Sequence, residues 1–362
     1  MTSKLRFMTG GTGNVSVRVQ SLSTSSYPFD KQVTVSPGQT TSFAVSNTFE
    51  QPLGNVVTDD GIRISSPSPI FVDVLLQSFS NDDMHPLIPD SLLGNEYFAA
   101  TYKKTTSKTA SFILVVAQTD NTYVSLELSK LADGETIEVD GVTYDRRDVL
   151  RVTLNSLQTL QIQTESDLTG TRIFSTKPVA TYSGQNRTHV PGKGACFSHV
   201  SDQLPPVENL GRKFVLVTTP DQNVGDLYRF VATQPLTTVV VESVPKKTIR
   251  LLSPGDFYEY DLANGSYLYA ESDKPVMAVQ LTKVYSDPNV PGSTGDASMG
   301  VLAPLEQAEN FYMFPHTSKQ QLVYLTFVVQ RYTPYFFLSF VYFVVPCHCL
   351  VFTTYDLSLI HI

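Results

Sequence analysis

A Pro-Val or Pro-Ile element recurs three times, at Ser68-Pro69-Ile70-Phe71-Val72, Lys177-Pro178-Val179-Ala180 and Lys274-Pro275-Val276-Met277-Ala278. Each copy leads, through a polar loop and a Leu/Pro segment, into a new aromatic strand. Those strands are Gly94-Asn95-Glu96-Tyr97-Phe98, Gly211-Arg212-Lys213-Phe214 and Glu309-Asn310-Phe311-Tyr312. Pro178 and Pro275 are 97 residues apart, and Phe214 and Tyr312 are 98 apart. That period is one of small domains and not of solenoid coils. Such a chain is an array of binding or spacer modules more readily than a single catalytic pocket.

Alternation of apolar and polar residues dominates, as in Val15-Ser16-Val17-Arg18-Val19 and Thr122-Tyr123-Val124-Ser125-Leu126. This is the period-2 signature of half-buried strands. Asp140-Gly141, between Ile137-Glu138-Val139 and Val142-Thr143-Tyr144, marks a hairpin, because a type I′ turn needs positive φ at both central residues. No dozen residues carry a helical period. The expected fold is all-β: tandem sandwich-like units of about 100 residues, six or so strands each, with a propeller-like arrangement as the alternative. Boundaries are expected at 1–92 for a partial first unit, 93–212 and 213–316 for the next two, and 317–333 for the start of another. The core is expected to include Val17, Ile64, Val72, Phe98, Leu114, Val124, Val179, Phe214, Val240, Val276 and Val279. The first unit lacks the two aromatic strands that open the others, which places its beginning upstream of Met1.

Charged residues are only 17% of the 362, below the usual quarter, and the net charge is −8. Lys and Arg are scattered, which argues against nucleic acid as a partner. No apolar leader follows Met1. Residues 335–352 are an almost unbroken apolar run, long enough for a membrane span but interrupted by Pro346, His348 and cysteines. The last six residues read like one translation frame of a transposase sequencing adaptor. Genuine protein is therefore expected to stop near 331–333, with 334–362 artefactual, poorly packed and dispensable for folding.

Chemistry is thin. His189, Cys196 and His199 share a Gly/Ser-rich loop, but no fourth ligand accompanies them, and a cysteine nucleophile would need an electropositive setting that is not visible. Asp82-Asp83 and Asp59-Asp60-Gly61 fit turns better than a calcium loop. No phosphate loop, catalytic elbow, cofactor or metal site is expected. The segment Gly184–Asp202 reads as a long polar connection and is the expected recognition loop, with Asn186, His189, Cys196 and His199 as its candidate contacts. Asn14, Asn186 and Asn264 open Asn-X-Ser/Thr triplets and are candidate glycosylation sites.

Several segments together resemble the IgGFc-binding protein N-terminal domain family. They are Gly61-Ile62-Arg63-Ile64-Ser65-Ser66, Leu93 to Tyr102, Lys177 to Gly184, Cys196 to Pro206, Gly211-Arg212-Lys213-Phe214 and Ser272 to Val276. The resemblance covers about residues 12–332. It implies a non-enzymatic, secreted, mucus-type or adhesive module with an extracellular protein or glycan as partner. The family pattern places a second cysteine near Arg187; its absence leaves Cys196 free, or paired in trans or with a part of the protein outside this chain. A membrane-anchored receptor ectodomain, resting on the 335–352 run, is the alternative reading, and a hydrolytic β-protein the third.

Overall fold

The computed structural model describes residues 2–22, 24–25, 28–46, 54–77, 82–106, 109–191, 196–220, 223–286 and 294–308. Beyond them it describes the backbone of four strands only. Among the described residues the only helical elements are three short 3-10 turns, at Asp90–Leu92, Val207–Asn209 and Leu305–Gln307, each entered through a proline. The fold is all-β, as the alternation requires.

The first group comprises β1 (Thr2–Met8), β2 (Val15–Ser21), β3 (Asp30–Val35), β4 (Thr41–Val45), β5 (Val56–Thr58), β6 (Ile62–Ser65), β7 (Phe71–Gln77) and β8 (Asp82–Pro86). Sheets β4-β1-β7-β8 and β3-β2-β6 enclose Leu5, Phe7, Val17, Val19 and Val35. The valines of β2 point inward and its polar residues outward, which is why this short strand holds its register. The first group nevertheless opens within the chain on β1, which the alternation does not mark and whose Leu5 and Phe7 pack into that core. Asp83, expected in a turn, lies instead in β8.

The second group is β9 (Gly94–Phe98), β10 (Ser111–Ala117), β11 (Thr122–Glu127), β12 (Ile137–Val139), β13 (Val142–Tyr144), β14 (Val149–Leu154), β15 (Thr159–Thr164), β16 (Arg172–Thr188) and β17 (Ser198–Gln203). The 17-residue β16 organises it. Its first half pairs with β9 and β11, and its second half with β10 and β17. The β9 register shifts between Phe174 and Val179, around Pro178, where a residue without an N–H is tolerated. Sandwich-like halves are thus joined through one strand into a single curled sheet.

The third group is β18 (Gly211–Val217), β19 (Asp226–Ala232), β20 (Thr237–Val241), β21 (Lys247–Leu251), β22 (Phe257–Leu262), β23 (Tyr267–Thr282), β24 (Tyr285–Ser286), β25 (Thr294–Gly295) and β26 (Met299–Val301). Here β23 takes the part of β16, pairing with β18 and β20 and then with β19 and β26. Gly94 opposes Val179 as Gly211 opposes Val276. One hydrogen bond follows each Pro-Val or Pro-Ile strand: Leu87 N–H to the Val72 carbonyl (2.9 Å), Leu204 to Thr181 (2.8 Å) and Leu302 to Ala278 (2.9 Å).

Of the expected core residues, Val17, Phe98, Val124, Val179, Phe214, Val276 and Val279 are buried, and Ile64 and Val72 pack half-buried against the first core. Leu114 and Val240 are corrected: Ile113 and Val115, and Val239 and Val241, face inward instead. In the tail, backbone strands β27 (Phe311–Pro315) and β28 (Val323–Gln330) pair with β30 (Cys349–Thr353) and β29 (Phe336–Phe343). How that tail packs lies outside the described residues.

The groups are bolted together. One hydrophobic cluster runs from Tyr97 through β10, β11 and β16 to Leu227, Val231, Met277 and Met299. At its edge Arg229, 1% exposed, spans the second and third groups. Its Nη1 donates to the Thr101 carbonyl (2.9 Å), Thr169 Oγ1 (2.6 Å) and Asp167 (2.9 Å), and Nη2 lies 3.2 Å from Glu259. The guanidinium also lies 4.8 Å from the Tyr102 ring centre and 4.6 Å from that of Phe257. Burial raises the Asp167 pKa, but Arg229 and the threonine hydrogen bonds outweigh it and hold the carboxyl below its ordinary value. Between the first and second groups, Gly61 N–H donates to the Leu157 carbonyl (3.0 Å), and β5 pairs with β15.

Candidate functional site

The expected recognition loop is shorter than its sequence suggested. β16 continues to Thr188 and β17 starts at Ser198, so the connection is 189–197, of which 192–195 lie outside the described residues. Ser183, Gly184 and Gln185 are buried strand residues. Ser183 Oγ donates to the Ala100 carbonyl (2.6 Å), and Gln185 Nε2 donates to that of Tyr102 (3.0 Å). Asn186 is also in the strand; its Oδ1 accepts the Ala110 N–H at 2.7 Å.

His189 and Cys196 do meet at the hairpin end. His189 Nδ1 lies 3.0 Å from the Cys196 carbonyl, and its ring is 5.6 Å from that of Phe197. The Arg187 guanidinium also lies over the Phe197 ring, 5.4 Å from its centre. Cys196 is exposed and free. The result is a cationic and aromatic tip on a two-stranded stem.

His199 is not part of that tip. It stacks on Phe112 (5.7 Å) and its Nδ1 lies 3.0 Å from Asp83 Oδ2, which also accepts from Ser201 Oγ at 3.1 Å. The contact joins β17 to β8 of the first group. Beside it His85 is buried against Tyr182, at 5.7 Å between ring centres. Burial pushes the His85 imidazole down to about 4, with the Asp83 carboxylate partly opposing and His199 adding to the fall. On the third group's side, Asp202 accepts the N–H groups of Val301 (2.7 Å) and Gln203 (2.8 Å). Burial nevertheless drives its carboxyl up to about 7, since those two bonds favour the anion less than desolvation disfavours it. This cluster is a junction between groups and not an open cleft.

A third place was not foreseen. On the outer face of the second group, Ser125, Glu127, Val149, Arg151, Arg172 and Phe174 line a shallow depression of ≈ 260 Å³. Arg172 is held by Glu96 (2.7 Å) and Glu127 (3.4 Å), while Phe174 stays 47% and Tyr123 61% exposed. The signal was present: both aromatics occupy the outward phase of their strands. An exposed ring beside fixed guanidinium and carboxylate groups suits surface contact. Among the described residues no three His, Cys, Asp or Glu side chains are placed to hold a metal ion. Asn14 and Asn264 are exposed, Asn264 in the turn between β22 and β23.

The sequence model of a family described as IgGFc binding protein matches residues 83–338. The chain belongs to that family. The human IgGFc-binding protein is 29% identical over 243 residues, which are 67% of this chain and 4% of the human protein. The chain thus spans a small fraction of that relative's length. No solved structure matches. The family match extends past 333, where the sequence reading expected genuine protein to end. No helix among the described residues is long and apolar enough to cross a membrane.

Proposed function

We propose that the chain is a non-enzymatic, extracellular binding or adhesion region of a larger secreted mucus-type or matrix protein. In this reading residues 1–92, 93–212 and 213–316 are three units of one β-module, stacked through buried junctions that leave outer faces and hairpin tips for partners. The observation that carries it is the junction itself. Arg229, sealed between two units and satisfied on both sides, fixes their orientation and makes a rigid platform. Rigid scaffolds with polar, aromatic tips are where recognition surfaces sit.

The partner is an extracellular protein or glycan. The human relative's name points to the Fc part of IgG, and Fc is the first partner to test. The test immobilises IgG Fc and, separately, a mucin-type glycan, and passes the full chain over both. Binding to either that is lost in Phe174→Ala or Phe197→Ala supports the reading. Absence of binding to both surfaces rejects it. Because β16 and β17 hold the fold and Val190 is buried in the core, a loop deletion should remove only 191–195, not Gly184 to Asp202.

A further inference from the structure

The edge of β15 carries a strand from another unit. Thr58, Val57 and Val56 of β5 oppose Thr159, Leu160 and Gln161, and Gln163 N–H reaches Asn55 Oδ1 at 2.7 Å. Hydrogen-bond parity explains which residues take part. Ala117 N–H bonds the Gln158 carbonyl (3.0 Å), so alternate residues of β15 turn their backbone groups toward β10. Thr159, Gln161 and Gln163 turn theirs away, to β5 and Asn55.

β22 stands where β15 stands. Ala232 N–H bonds the Asp256 carbonyl (2.9 Å), so by the same parity Phe257, Glu259 and Asp261 turn their N–H and C=O groups away from β19. β22 ends the strand order of its sheet, and among the described residues no strand pairs with its outer side. The segment that corresponds to β5, residues 165–171, forms no ladder with it. Its N–H groups turn back into the second group, Gly170 to the Ala99 carbonyl (2.9 Å) and Thr171 to that of Leu168 (2.9 Å).

We propose that the outer edge of β22 is a strand-addition site for an extended segment of a partner polypeptide with β-branched apolar residues at its centre. The occupant of the sister edge supplies the chemistry. Val57 opposes Leu160, and the same register sets a central β-branched residue opposite Tyr258, which is half-buried against the third group's own core, so apolar surface is waiting for it. Glu259 and Asp261 line the rim, each paired with a cation of its own group, Arg229 at 3.2 Å and Lys283 at 2.5 Å, so the edge carries little net charge. Polar flanking residues complete the partner's description. The site stands apart from the Fc and glycan reading and can fail without it.

Amide hydrogen exchange on the full chain tests it, with the synthetic peptide Pro-Leu-Gly-Asn-Val-Val-Thr-Lys-Lys as the probe. In the free chain the amides of Phe257, Glu259 and Asp261 exchange quickly, whereas those of Thr159 and Gln161 are protected. Added peptide slows the first three by about tenfold or more. Asp261→Pro, which removes one outward N–H, abolishes that protection, and Asp261→Ala, which keeps it, does not. Protection of the three amides before peptide is added overturns the proposal, as does peptide protection that never reaches them.

Discussion

Gly170 and Gly255 meet backbone to backbone across the second junction. A Cβ on Gly170 would lie 1.9 Å from the Gly255 carbonyl oxygen, and one on Gly255 would lie 2.3 Å from that of Gly170. Both also have positive φ, 87° and 79°. Neither position tolerates a side chain, for two separate reasons. Gly170→Ala and Gly255→Ala are each expected to cost ~2–4 kcal/mol in denaturant unfolding. Gly265→Ala, at φ 69° but in open space, isolates the conformational part and costs about 1 kcal/mol. Equal losses at all three positions would mean that the close approach contributes nothing.

Arg229 is the other side of the same seam. Arg229→Leu leaves the partly buried Asp167 without its cation and is expected to lower stability by ~2–4 kcal/mol. Asp167→Asn added to that variant recovers part of the loss, because the stranded charge is gone. A double-mutant cycle by urea denaturation measures the coupling. Additive effects of the two substitutions would contradict the bond network described above.

Strand phase gives a sharper pair. Ile113 is buried and Leu114 only partly so, although they are neighbours in one apolar run. Ile113→Asp should unfold the chain at room temperature or cost several kcal/mol. Leu114→Thr should cost under ~1.5 kcal/mol. A thermal melt of each against the parent decides; a reversed order would put β10 one residue out of register.

His85 and Asp202 make opposite demands on pH. The folded pKa of His85 is lowered from 6.5 to about 4, so its contribution is present above 6.5 and lost as pH falls toward 4. The folded pKa of Asp202 is raised from 3.8 to about 7, so its contribution is present at low pH and lost as pH rises through 7. Between pH 4 and 6.5 the two slopes offset each other. His85→Leu should therefore gain stability on acidification, and Asp202→Asn should lose it, each by up to about 1.4 kcal/mol per pH unit. Unfolding free energies at pH 4.5, 5.5 and 6.5 expose the two signs, and parallel curves for both variants would exclude the pairing of effects.

Most strands were legible because alternation is a direct record of burial, as the inward valines of β2 illustrate. Leu114 and Val240 were misplaced for the converse reason. Phe112-Ile113-Leu114-Val115-Val116 and Val239-Val240-Val241 are apolar on both faces, so the pattern carries no phase. The end of β16, from Gly184 on, has the composition of a loop because Gln185 and Asn186, like Ser183 before them, are polar. Their polarity instead satisfies backbone groups of neighbouring segments, Ala100, Tyr102 and Ala110 among them. His199, expected in the loop, lies in β17. Its partner Asp83 is 116 residues away in sequence, and no local spacing announces such a contact. The depression around Phe174 needed the pairing of β11, β14 and β16 before its six residues could be seen together.

The two long strands bear on how the chain answers to pulling. β16 and β23 each run through both halves of their group, with neighbours on both sides over much of each half and a gap in the ladders just before Pro178 and Pro275. A load applied along such a strand meets its ladders in shear, with many bonds resisting at once, whereas a strand at right angles to the load would unzip one bond after another. Resistance to tearing is therefore set by two seams of 17 and 16 residues, each turning on a single proline.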